Sequence, residues 1–257
     1  MKELFDKLIG NGWLTKEEAQ NFYDNPDIIE CMEKSTSPVK SNIFNALNLV
    51  PLNSFKVLIL GKDPYPNPKD AQGLAFSSMD KSTPDSLKNI FKSLDKTYGS
   101  NLFEKADNDL TSWAKQGVLL LNTGLTYQKI DSDGMDKKEK LSAQNKTQNR
   151  HMKIWRPFIK LIIKKILSIK DRPTVYMLWG NDAHNIVFSE IKNKDFKSHL
   201  HERGAFIIPD TQTMILQCAH PSPLSVNRGG DFLEMAPEYF KDCDEHLKTD
   251  RINWTKL

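Results

Sequence analysis

The chain has 257 residues, 39% of them hydrophobic and 27% charged, and a formal net charge of +3, which admits a polyanionic partner without demanding one. Three scattered cysteines, Cys31, Cys218 and Cys243, argue against a disulfide framework and a CxxC metal or iron–sulfur pattern. Apolar runs such as Val57–Leu60 are too short to span a bilayer, and the mixed charges of Met1–Leu8 do not form a signal peptide, so a cytoplasmic protein with no membrane partner is expected.

The first compact apolar run, Lys56–Leu60, reads as a buried strand that feeds the turn Gly61-Lys-Asp-Pro-Tyr-Pro66. Leu87, Ile90, Phe91 and Leu94 then recur at helical spacing. A second strand, Val118–Leu121, leads into Asn122-Thr-Gly124. The polar, lysine-rich stretch 130–150 has no hydrophobic period and reads as an exposed loop or frayed helical insertion. Its Lys137, Lys138, Lys140 and Lys146 are candidates for phosphate contact, although such charge runs are more often a solvated face.

Helical spacing returns at Ile154, Phe158, Leu161, Ile162 and Ile166. Two further strands, Thr174–Trp179 and Met214–Cys218, end in Gly180-Asn181 and in Ala219-His-Pro-Ser-Pro-Leu-Ser225. Strand and helix thus alternate, which predicts one domain over 1–257: a three-layer α/β/α arrangement around a central, mostly parallel four-stranded sheet. In such sheets the ligand crevice lies outside the carboxyl ends of the strands, so the four turns are where function is sought.

Asp63 sits in a loop stiffened by Pro64, Pro66 and Pro68; in isolation it reads as a carboxylate capping a backbone amide. The Asn122 amide offers a donor and an acceptor. A uracil edge presents an acceptor at O4 and a donor at N3, and cytosine presents the reverse, so one rigid amide can separate them. His220 precedes two prolines bracketing Ser222, and an exposed Leu224 in that stiff loop suits a wedge that fills unstacked DNA.

With these residues assembled, the chain resembles the family-1 uracil-DNA glycosylases. Their first motif is similar to Gly61–Ser77, their uracil-reading strand to Asp109–Asn122, and their DNA-intercalation loop to His220–Ser225. Secondary likenesses at Asn42–Phe44, Pro84–Ile90 and Leu178–Gly180 extend the match in order from about Asn42 to Leu247.

The resemblance implies hydrolysis of the uracil–deoxyribose bond in DNA after base flipping, by a monomer with no metal or organic cofactor. It assigns Asp63 to the attacking water and the cationic sugar, and His220 to a hydrogen bond on uracil O2. The backbone amides of Lys62 and Asp63 also face O2. Tyr65 excludes a C5 methyl group, Phe76 stacks on the base and Asn122 reads its polar edge. Leu224 fills the vacated space, while Ser86, Ser222 and Ser225 belong to the DNA-contacting loops.

The chain departs from the family at Lys62, where Gln is usual, at Pro66, where His is usual, and at Asn67 and Lys69, where Gly is usual. Gly124 replaces a bulkier residue, and a short connection to a Ser-His pair becomes a longer stretch ending at Asn149-Arg150-His151. That histidine normally supports the active-site aspartate. These changes keep a second reading open: a non-catalytic homologue acting as a DNA-binding scaffold, or as a decoy for proteins that inhibit glycosylases by mimicking DNA.

Overall fold

The computed structural model describes residues 1–105, 107–193, 196–199 and 202–257. Four buried apolar strands form its centre, β1 (Val57–Gly61), β2 (Val118–Asn122), β3 (Thr174–Trp179) and, numbered in chain order, β5 (Thr213–Cys218). All four run parallel, β1 between β2 and β3, and β3 beside β5. Their near-continuous burial reflects cover on both faces.

The sheet is five-stranded, not four: β4 (Gly204–Ile207) adds an antiparallel edge on β5, in the order β2-β1-β3-β5-β4. The alternating, half-exposed Gly-Ala-Phe-Ile segment carries little strand signal of its own; pairing with β5 creates the strand.

Three helices, α1 (Lys2–Gly10), α2 (Lys16–Tyr23) and α3 (Pro26–Glu33), precede the sheet. They are tied to it through α4 (Asn45–Leu49), where the Trp13 indole donates to the carbonyls of Leu47 and Val50 at 3.0 and 2.8 Å. Between β1 and β2 lie α5 (Asp85–Tyr98), α6 (Leu102–Lys105) and α7 (Thr111–Ala114). The expected periodic residues Leu87, Ile90, Phe91 and Leu94 are all buried on α5. After β2 comes α8 (Lys137–Leu167), after β3 α9 (Asn181–Phe188), and after β5 α10 (Pro223–Val226) and α11 (Phe232–Leu247).

Helix α11 packs on β3, β5 and α5, whereas α9 packs on β3 and against α8, giving the three layers. No helix among the described residues is long and apolar enough to cross a membrane.

The 130–150 stretch, expected to be an exposed loop or a frayed helical insertion, is mostly exposed and is helical from Lys137 onward as the start of α8. Asp136 caps the amides of Lys138 and Glu139 at 2.7 and 2.8 Å, and Glu139 reaches back to the Asp136 amide at 3.0 Å. The first turns are solvated almost all round, so no apolar stripe marks them, and burial begins only at Gln148 and His151.

Candidate active site

Gly61 and Asn122 are register partners at the carboxyl ends of neighbouring strands. Beyond them the two turns stay joined, because the amides of Thr123 and Gly124 donate to the carbonyls of Gly61 and Lys62 at 3.0 and 2.9 Å. A Cβ on Gly61 would lie 2.2 Å from Asn122 Oδ1, so only glycine lets this amide lie against the strand end. Asn122 is 7% exposed, and neither end of its amide has a protein hydrogen-bond partner among the described residues.

The first turn doubles back through 71–77. The Ala75 amide donates to Leu120 O at 2.9 Å, and Ser77 Oγ accepts from the Leu110 amide at 2.8 Å and from Gln72. Gln72 also donates to Asp109 Oδ1 at 2.6 Å, which links the first motif to the second. Between these anchors Phe76 adopts φ 64°, a left-handed conformation costing a bulky residue on the order of 1–3 kcal/mol. The strain sets the ring beside Trp179 and His220, with centroids 5.6 and 5.9 Å away. The Tyr65 hydroxyl donates to Phe76 O at 3.1 Å, which fixes its own ring in turn.

A cleft of about 290 Å³ results. It brings together Lys62, Asp63, Tyr65, Phe76, Ser86, Asn122 and His220, drawn from four separate stretches of chain. Burial pushes the Asp63 carboxyl above the usual carboxylate range, and the Lys62 ammonium pulls it partly back. Burial lowers the His220 imidazole, with Asp182 opposing and Lys62 reinforcing the shift. His220 Nδ1 accepts the Ser222 amide at 3.0 Å, so the neutral ring carries its proton on Nε2 and presents a donor there.

Leu224, Ser222 and Ser225 lie apart from this cleft. They line an adjoining one of about 490 Å³ that shares Lys62 and His220 with the first. Leu224 is 63% exposed on the single turn of α10, whose first residues follow the Ser222 cap: Ser222 Oγ accepts the Ser225 amide at 3.4 Å. Asp231 closes this loop. Its carboxylate accepts from the Ala219 amide at 2.7 Å and from Arg203 Nε at 3.0 Å, which anchors the backbone immediately before His220.

Three participants escaped the sequence reading. Asp231 and Arg203 are unremarkable charges until the fold joins them, and Tyr127 lies in a loop without periodicity yet lines the cleft beside Asp63. His151 is also placed differently from the expected support of Asp63. It is fully buried, with Nδ1 2.8 Å from Thr126 Oγ1 and Nε2 3.3 Å from Gln128 Oε1. Because Trp155 Nε1 donates to the same Thr126 oxygen at 2.8 Å, this chain of bonds braces the 122–128 loop. Among the described residues no group of three or more His, Cys, Asp or Glu converges to hold a metal.

The model of the uracil DNA glycosylase superfamily matches residues 47–248. A uracil-DNA glycosylase of Lactococcus lactis subsp. cremoris is 39% identical over 225 residues, covering 85% of this chain and 84% of its own length. One from Streptococcus agalactiae serotype III is 35% identical over 245 residues, covering 93% and 94%. Among solved structures, mimivirus uracil-DNA glycosylase superposes with a TM-score of 0.65 at 22% identity, over 94% of this chain and 87% of its own. The UNG of Nitratifractor salsuginis does so at 0.55 and 18% identity, over 93% and 95%. A mimivirus UNG variant in complex with UGI matches at 0.63 and 20% identity, over 94% and 89%. Motifs, parallel sheet and relatives agree, and the chain belongs to the uracil-DNA glycosylase superfamily as a family-1 member.

Proposed function

We propose that this protein excises uracil from DNA by hydrolysing the N-glycosidic bond of a flipped nucleotide, the opening step of base-excision repair. The observation that carries the reading is the convergence of Asp63, Tyr65, Phe76, Asn122 and His220 on one cleft of about 290 Å³. Rupture of the bond leaves positive charge on the sugar and negative charge on the base, and fixed groups of opposite sign are what such a transition state needs. Asp63 stabilises the sugar cation and takes a proton from the attacking water. His220 Nε2–H donates to uracil O2 as the anion forms; the Nδ1 contact with Ser222 supports this role by fixing the tautomer.

Asn122 pairs with the polar edge of the base, Phe76 stacks on it, and the Tyr65 ring, held by its bond to Phe76 O, blocks a methyl group at C5. Leu224 fills the space the extruded nucleotide leaves, a role that its exposure on α10 supports. Lys62, Ser86, Ser222 and Ser225 line the two clefts where flanking phosphates approach. A protein that mimics the charge of DNA would dock on the same face. The scaffold reading gains nothing from the geometry, since all five pocket residues line the cleft despite the changes at Lys62 and Pro66.

Release of free uracil from a uracil-containing oligonucleotide, measured under single-turnover conditions, tests the reading. Asp63→Asn and His220→Ala are each expected to slow release by roughly 10²–10⁴-fold. Uracil release at the wild-type rate from the double variant refutes the mechanism.

A further inference from the structure

Tyr127 lines the same cleft as Asp63, near enough for the Asp63 charge to act on its hydroxyl, and lies on a segment held from three directions. The turn after β2 is bonded to the first turn through Thr123 and Gly124. Thr126 is buried and held by Trp155 and His151. Tyr127 itself forms an isolated antiparallel bridge with Ser37, its amide donating to Ser37 O at 2.7 Å and its carbonyl accepting the Thr36 and Ser37 amides at 2.8 and 3.2 Å. Ser37 Oγ also donates to Tyr65 O at 2.5 Å, so a single stretch of chain locks Tyr127 and the Asp63–Pro66 turn together. The ring is therefore placed by a rigid backbone.

The chemistry of this part of the cleft is one-sided. Asp63 accepts no hydrogen bond from a protein group among the described residues; burial raises its pKa and the Lys62 charge opposes that. The Tyr127 hydroxyl likewise has no protein partner among the described residues, and after burial it is the Asp63 charge that raises its pKa. Pro64 and Pro66 contribute no polar side-chain atom to the cleft, and the Tyr65 hydroxyl is committed to Phe76 O. An uncommitted carboxylate and an uncommitted phenol thus face one space, and an ordered water needs two or more such partners.

We propose that Tyr127 is a second water-holding residue of the glycosylase reaction, its phenol oxygen accepting one O–H of the attacking water while the Asp63 carboxylate accepts the other. With both hydrogens so engaged, a lone pair of the water points at the anomeric carbon. The new C1′–O bond forms as the C1′–N1 pair leaves with uracil, and the surplus water proton passes to Asp63. The inference rests on the uracil-excision reading and deepens it.

Tyr127→Phe removes one oxygen and keeps the ring, so the experiment compares this variant with the wild type, Asp63→Asn and the Asp63→Asn/Tyr127→Phe double variant. Single-turnover uracil release and the Kd for uracil-containing oligonucleotide are measured for each, and a thermal melt confirms that each is folded. The expected result for Tyr127→Phe is a rate loss of about tenfold or more at saturating DNA, with Kd unchanged. In the Asp63→Asn background the same change should cost less than threefold, because two groups that hold one water do not act additively. A Tyr127→Phe rate within twofold of wild type, a loss expressed in Kd alone, or full additivity overturns the proposal. If the wild type itself releases no uracil, the excision reading fails and this one with it; if only Tyr127→Phe is silent, excision stands and Tyr127 is merely wall.

Discussion

Gly61→Ala probes the cleft where the chain leaves no room. The added Cβ would lie 2.2 Å from Asn122 Oδ1 and 2.8 Å from Ala75 Cβ, and neither neighbour is the loose end of a long side chain. The Asn122 amide must retreat by about 1 Å to restore van der Waals contact. Gly61 is not among the residues with positive φ, so the backbone accepts alanine and the cost to the fold is that of mild overpacking, roughly 1–3 kcal/mol. A displacement of that size at the group proposed to orient the reacting base should cost on the order of 10²-fold in rate, or about 2.7 kcal/mol of transition-state stabilisation. Urea unfolding should therefore show a lowered midpoint with an unchanged m value, while single-turnover uracil release falls by roughly 10²-fold. A folded Gly61→Ala protein that releases uracil within threefold of the wild-type rate would show that the Asn122 position is not what selects and aligns the base.

The pH profile should follow from the two shifted groups. The proposed mechanism needs Asp63 ionised and His220 neutral; His220 is shifted down, away from neutral pH, and Asp63 up, so Asp63 should protonate at a higher pH than an ordinary carboxylate. Activity should fall as the pH drops through the raised Asp63 value, above the ordinary carboxylate pKa of about 3.9. Lys62→Gln removes a charge that holds both pKa values lower, so its acid limb should move to higher pH; movement to lower pH contradicts the electrostatics. Asp231→Ala should leave the Ala219 amide without its partner and Arg203 without its counter-charge, lowering stability by about 1–3 kcal/mol in chemical denaturation. The same variant should also slow excision by about tenfold through the loosened His220 backbone, whereas unaltered kinetics would leave Asp231 a purely structural group.

Much of the fold was legible because its signals are local. Each parallel strand is a short apolar run buried on both faces, and each run ends in a turn rich in glycine or proline, so the α/β alternation and the sites at strand ends follow from patterning. Leu87, Ile90, Phe91 and Leu94 announce α5 in the same way, since a helix on a sheet buries one stripe. The edge strand β4 and the solvated start of α8 lack such a stripe. They exist through a neighbour or through a cap, and periodicity is silent about both.

At the site, sequence alone supplied the residue types and their family likeness, so Asp63, Tyr65, Phe76, Asn122, His220 and Leu224 could be named before any coordinates. Tertiary structure decided how they are arranged. The tautomer of His220 depends on an amide two residues away, the φ of Phe76 on anchors from two other segments, and the loop before His220 on Asp231. Tyr127 and His151 show the limit most clearly. A tyrosine in an aperiodic loop carries no mark of its destination, and a histidine that resembled a support for Asp63 instead braces Thr126, because hydrogen-bond partners are set by three-dimensional distance rather than by order along the chain.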